Sequence, residues 1–194
     1  MARENRRSTG ISGLDLAMEG GFPAGSTIVV QGSPLTGIDL LARQFWSADG
    51  MTGTYLMIDS EVEPGMTDAR DSPPEALLPL MKGDRVVLDS LSTIITRNGI
   101  DAAISLLSSV KKDIAERKAN ALFILYSDLH TTVEEIRIMR MADVVIELKE
   151  IIIMTEIERQ LAVHKVRNAQ VPKRIIPFNI TEKGIELSTT SRVV

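Results

Sequence analysis

Short β-branched runs alternate with amphipathic stretches along most of this chain, and the final part turns to strands alone. Residues 27–31, 54–58, 85–90, 121–126 and 143–148 are near-continuous apolar segments, as strands buried on both faces require. Between them lie helical periods. Ile38, Leu41, Ala42 and Phe45 share one face of a helix predicted over 38–47. Ile100, Ala103, Ile104, Leu107, Val110 and Ile114 line a longer helix, with Arg117 and Lys118 at its end and Asn120 as a stop. Thr131 or Thr132, with Glu134 or Glu135 three residues on, caps another that runs to about Met141. The acidic, proline-rich stretch 60–84 reads as surface loop. Inside it, Ser72-Pro73-Pro74-Glu75 predicts a capped short helix towards Met81, limited by Pro79. Residues 151–155, 158–166, 174–180 and 185–187 then read as strands without helices, with a hairpin turn at Thr181-Glu182-Lys183-Gly184. The expected fold class is α/β: a mostly parallel central sheet flanked by helices, with a C-terminal antiparallel β extension.

Composition narrows this picture. The 194 residues suffice for one sizeable domain, placed at 9–194 behind a flexible basic arm at 1–8 that carries Arg3, Arg6 and Arg7. A net charge of −4 gives no general bias towards nucleic acid. Cysteine is absent, which removes disulfides, thiolate metal sites and a cysteine nucleophile. His130 and His164 are too far apart for a local metal motif, so no metal site is expected. With no long apolar run and a polar, basic start, no membrane association is expected, and the location reads as cytoplasmic.

The chemistry concentrates in Ile28-Val29-Val30-Gln31-Gly32-Ser33-Pro34-Leu35-Thr36-Gly37-Ile38-Asp39-Leu40. A strand, a turn with two glycines five residues apart and a helix start form the setting of a phosphate-cradling loop. The full pattern G-x-x-x-x-G-K-[ST] ends in a lysine for the β/γ-phosphates and a hydroxyl for Mg²⁺. Here those positions hold Ile38 and Asp39. At an effective dielectric of about 20, unit charges about 4 Å apart interact by roughly 4 kcal/mol, so aspartate in place of lysine opposes triphosphate binding. Leu35 is a third departure, at a position that often needs the freedom of glycine. A plain strand-to-helix turn satisfies Gly32 and Gly37 equally well. Downstream, Arg85-Val86-Val87-Leu88-Asp89-Ser90 ends in a carboxylate of the kind that orients Mg²⁺ in loop-type NTPases.

Several segments in order resemble the RecA-like core of the KaiC/RadA branch of ATPases. They are Thr9-Gly10-Ile11-Ser12-Gly13-Leu14-Asp15, Gly20-Gly21-Phe22-Pro23-Ala24-Gly25, the loop 32–39 and Val86-Val87-Leu88-Asp89-Ser90. Ala142-Asp143-Val144-Val145-Ile146-Glu147-Leu148, Lys165-Val166-Arg167 and Pro177-Phe178-Asn179-Ile180-Thr181-Glu182-Lys183-Gly184-Ile185 complete the set. The resemblance spans about residues 8–188 and implies a single RecA-like P-loop domain. It also implies that Gly32, Ser33, Thr36, Gly37, Asp39 and Asp89 mark a vestigial nucleotide site. Asp59 and Ser60 fall where active relatives place a water-activating glutamate pair, with Glu61 next door. Lys165 and Arg167 match a family K-x-R that reaches a neighbouring subunit's γ-phosphate.

With the lysine, the hydroxyl and the glutamate pair all replaced, the expected function is that of an inactivated ATPase homologue. It would act without cofactor as a regulatory or signalling module, bind a protein partner of unknown identity, and have no catalytic residues. Weak ATP–Mg²⁺ binding or hydrolysis, assisted in trans by Lys165 and Arg167, is the alternative. A DNA-recombination accessory is the third, disfavoured because the connections at 92–99 and 127–132 are short and carry only Arg97 as a base. Residues 143–158 hold five acids and one base, and residues 159–174 hold five bases and no acid, a layout that suits a homo-oligomer or pairing within one molecule.

Overall fold

The computed structural model describes residues 5–50 and 52–188. Its elements in chain order begin with β1 (Arg6–Arg7), α1 (Ser12–Ala17), β2 (Phe22–Pro23), β3 (Thr27–Gly32), α2 (Ile38–Ser47) and β4 (Gly53–Met57). They continue with β5 (Thr67–Asp68), α3 (Pro74–Leu77), β6 (Arg85–Asp89), α4 (Leu91–Asn98), α5 (Ile100–Arg117) and β7 (Asn120–Tyr126). Helix α6 (Thr132–Met141) and strands β8 (Val144–Ile153), β9 (Glu156–Val166), β10 (Ile176–Thr181) and β11 (Gly184–Leu187) complete the chain. Nine strands form one sheet in the order β11-β10-β9-β8-β3-β7-β6-β4-β5. Strands β8, β3, β7, β6, β4 and β5 are parallel, and β9 to β11 join antiparallel. The fold class read from the sequence is the one observed.

Strand β3 shows why the chain folds this way. Every residue from Thr27 to Gly32 is buried. Its side chains alternate between two cores: Ile28 and Val30 meet Leu14, Ile38, Leu41 and Phe45, whereas Val29 joins Leu107, Val110 and Ile138 across the sheet. Alternation within an apolar run is how a parallel strand serves helices on both faces.

Some expectations are corrected. The described end of the basic arm is docked, because Arg6 and Arg7 pair with Pro23 and Phe22 and Arg6 donates to the carbonyls of Met18 and Gly21. Residues 1–4, with Arg3, lie outside the described residues. The supposed short connection at 92–99 is mostly helix: Ser90 Oγ accepts from Thr93 N (3.3 Å), and Leu91, Ile94 and Ile95 bury one face of α4. Helix α3 has Pro73 at its N-cap without a side-chain bond, so Ser72 does not cap it. Lys118, with φ 55°, ends α5. Asn120 instead opens β7, and its amide donates to Pro23 O and Ser26 Oγ, both at 2.8 Å. Strand β8 runs unbroken past Leu148 to Ile153.

Arg85 ties the first core together. Its side chain is 0% exposed and lies 5.1 Å from the centre of the Phe45 ring. It donates to Ser8 O (2.8 Å), Phe45 O (3.0 Å) and Asp49 Oδ2 (2.8 Å), joining β6 to the N-terminal segment and the end of α2. Removing it takes a donor from Ser8 O and from Phe45 O, which keeps the N–H of Ala48, and leaves a void beside the Phe45 ring. Arg85→Ala should therefore lower stability by about 3–5 kcal/mol, whereas Asp49→Ala, at a half-exposed partner, should cost about 1 kcal/mol. Urea denaturation of the two variants measures this, and equal costs would refute it.

Candidate functional site

The C-terminal ends of β3, β4, β6 and β7 lie at one edge of the sheet, the end at which open parallel sheets usually bind ligands. The loop after β3 lies there as a 3₁₀ turn over Pro34–Thr36. Ser33 closes that turn from inside. Its Oγ accepts from Leu35 N (3.1 Å), and its carbonyl accepts from Thr36 N (3.1 Å) and Thr36 Oγ1 (2.6 Å). Pro34 has no N–H to offer. Three successive backbone positions of the loop thus present no free amide for a phosphate.

The two glycines are set by close approach. Gly37 has φ 77° and ψ 28° and joins the turn to α2, and a Cβ there would lie 2.9 Å from Ile180 Cδ1. At Gly32 a Cβ would lie 2.9 Å from Thr36 Oγ1 and 3.1 Å from Leu148 O. Ile38, at the position of the motif lysine, is 1% exposed and packed in the core with Leu41 and Phe45. Asp39 is half-buried in the first turn of α2.

Asp89 lies beside this loop, 4% exposed at the end of β6. Tyr55 OH donates to its Oδ2 (2.6 Å), and Tyr126 OH lies 3.4 Å from its Oδ1. Burial pushes the Asp89 carboxyl above its ordinary range, and the negative charges of Asp59 and Asp39 add to this, against the two tyrosine hydrogen bonds. Burial, seconded by the Asp89 charge, pushes both phenols far up. Asp59 accepts from Ser90 Oγ (2.9 Å) and from Thr93 Oγ1, while Ser60 and Glu61 are exposed. Among the described residues no group of three His, Cys, Asp or Glu side chains could hold a metal ion.

The family model described as "ATPase: KaiC" matches residues 75–192, more than half of the chain. The chain belongs to the KaiC ATPase family. The match begins after the loop at 32–39, so membership rests on the segment from α3 onwards. The fold is similar to that of the KaiC-like protein PH0186 from the hyperthermophilic archaeon Pyrococcus horikoshii OT3. The TM-score is 0.77 and the identity 21%, over 95% of this chain and 99% of that one. No curated protein matches the chain.

In this KaiC-family chain the K-x-R residues stand apart from the loop. Lys165 pairs with Val145 near the start of β8, whereas the loop follows the far end of β3. Lys165 Nζ donates to Met139 O (3.1 Å), Arg140 O (3.2 Å) and Ala142 O (2.5 Å), the carbonyls that end α6. Arg167 donates to Asp143 Oδ1 (3.2 Å). Asp143 is buried and also holds Lys111 Nζ (2.6 Å), Thr27 N (3.1 Å) and Thr27 Oγ1 (2.9 Å). Burial raises its pKa, but these donors outweigh burial and keep its carboxyl below the ordinary range.

The structure therefore brings Gly32, Ser33, Thr36, Gly37, Asp39 and Asp89 to one end of the sheet and sets Lys165 and Arg167 elsewhere. Sequence reasoning missed Tyr55 and Tyr126. A usable signal was present, since Tyr55 is two residues before Met57, the register partner of Asp89, and Tyr126 ends the next strand.

A pH dependence follows from Asp89. A carboxyl raised above its unfolded value binds its proton more tightly in the folded state, so its contribution falls as pH rises from the ordinary carboxylate range through the folded value. Asp89→Asn removes that loss and keeps an acceptor for Tyr55. The variant should be more stable than wild type at pH 7, with the margin narrowing as pH falls towards the acid range. Denaturation midpoints across pH test this, and a variant less stable at neutral pH would contradict it.

Proposed function

We propose that this chain is a KaiC-family member that does not turn over nucleoside triphosphates and works as a regulatory module binding a protein partner. The observation that carries this reading is the self-closed loop: Ser33 takes the amides of Leu35 and Thr36, Pro34 has none, and Ile38 is in the core. Phosphoryl transfer is almost wholly positioning and electrostatics, and here two loop amides are already taken, Pro34 has none and the motif lysine is replaced by Ile38. Asp89 supports the same reading, since its oxygens face tyrosine hydroxyls at the position where relatives orient Mg²⁺.

Protein binding is favoured by the tip of the β8–β9 hairpin. There Ile152, Ile153, Met154 and Ile157 are 73%, 45%, 95% and 54% exposed, a concentration of apolar surface uncommon away from interaction sites. Arg159 pairs with Glu150 (2.9 Å) and Arg167 with Asp143, so much of the alternating charge in this region is matched within one molecule.

Isothermal titration of the wild-type protein with ATP and Mg²⁺ should show no binding, and phosphate release should stay at background. The double change Ile38→Lys with Asp39→Thr should restore only part of the affinity, because Pro34 and the Ser33 hydrogen bonds remain. Turnover of about one per minute or faster, abolished by Asp89→Asn, would defeat the proposal.

A further inference from the structure

The five bases of residues 159–174 are not equivalent in the fold. Arg159 is held by Glu150, Lys165 by the end of α6 and Arg167 by Asp143. Lys173 and Arg174 are exposed and, among the described residues, make no hydrogen bond or ion pair. Both line a cleft of about 270 Å³ between the β8–β9 ribbon and the segment leading into β10.

The rest of that cleft is suited to an anion. Lys149 and His164 also line it, and Glu147 is its one acid. Glu147 is already satisfied: Lys149 Nζ lies 3.0 Å from its Oε1 and His164 Nε2 lies 2.9 Å from its Oε2. The placement of His164 has a backbone cause. Val145 faces Lys165 and Ile146 faces Val163, so His164 is the extra residue of a β-bulge. Bulges re-aim side chains in this way beside functional sites. Ala162, Pro172 and Ile175 add apolar wall.

We propose that this cleft binds a small organic phosphate, its anionic group held by Arg174, Lys173 and Lys149 and its apolar part laid against Ala162, Pro172 and Ile175. This goes beyond the regulatory reading above, and none of the lining residues belongs to the loop at 32–39. The guanidinium fork matches phosphate oxygens, and each ammonium adds a point charge. The size of the cleft suits a ligand smaller than most drug-like molecules. Two unpartnered cations are too few for a polynucleotide, which needs several phosphate contacts along its backbone.

Titration of the full chain with phenyl phosphate, followed by amide chemical shifts, tests the proposal. Shifts should concentrate at Lys149, His164, Lys173 and Arg174. The double variant Lys173→Ala with Arg174→Ala should bind about tenfold more weakly or worse, as loss of charge-assisted hydrogen bonds implies. Because both side chains are exposed and unpartnered, that variant keeps its fold, which the same spectra verify. Lys112→Ala, on the exposed surface of α5, should bind as wild type. Inorganic phosphate should bind more weakly than phenyl phosphate. No shifts up to about 10 mM ligand, or undiminished affinity in the double variant, would overturn the site. Equal affinity for inorganic phosphate would overturn the organic ligand, and tighter binding of a thymidine oligonucleotide would overturn the small-ligand class.

Discussion

A backbone N–H serves one good acceptor at a time, and the turn after β3 has committed those of Leu35 and Thr36. An anion-binding loop leaves its amides open so that a ligand completes them. Here Ser33 supplies both acceptors from within, one from its side chain and one from its carbonyl. The turn is complete without a ligand, and Gly37 then pivots the chain into α2 through a left-handed conformation. The helix is held in place by Ile38, Leu41, Ala42 and Phe45 in the core. A lysine at residue 38 would have to leave that packing to reach a phosphate, whereas Ile38 contributes to the core.

The same end of the sheet gathers carboxylates. Asp39, Asp59 and Asp89 lie there, and the raised pKa of Asp89 comes first from burial and then from repulsion by the other two. An active site of this shape would balance such acids with a lysine and a metal ion. This chain uses hydroxyls: Tyr55 and Tyr126 face Asp89, and Ser90 and Thr93 face Asp59. Hydrogen bonds to a charged group contribute about 1.5–3 kcal/mol each, enough to offset part of the desolvation of a nearly buried carboxylate. Proton uptake supplies the remainder more easily than it would at an exposed aspartate.

Much of the fold was legible because apolar runs and helical periods coincide with their elements, as in Thr27–Gly32, Ile38–Ser47 and Ile100–Arg117. Helix α4 escaped notice because it is only eight residues long, with Leu91, Ile94 and Ile95 as a single turn of helical spacing, and its start depends on the Ser90 cap. The loop was legible as a strand-to-helix turn and Asp89 as a strand end. The state of the loop was not, since Ser33 and Pro34 acquire their meaning only from hydrogen-bond geometry. Arg85 was hidden for a related reason. A charged residue opening a strand reads as a solvated flank, and only the three-dimensional meeting of Ser8, Phe45 and Asp49 gives its guanidinium partners in the interior.

The K-x-R pair shows how far a resemblance carries at single residues. An ammonium has three donors, and Lys165 has three acceptors at the end of α6, the carbonyls of Met139, Arg140 and Ala142. To reach a neighbouring subunit it would have to abandon the carbonyls that terminate that helix. Arg167 is different. Its side chain is 61% exposed, and its guanidinium commits NH1 to Asp143 while holding further donors in reserve. Asp143 meanwhile secures the start of β3 through Thr27 and is held by Lys111 as well. Arg167 can therefore turn outward without leaving Asp143 unpaired, whereas at the end of α6 Lys111 reaches Met141 O (2.9 Å) and Lys165 holds the carbonyls on either side of it. Of the two residues, the arginine has the more exposed side chain and the fewer committed donors.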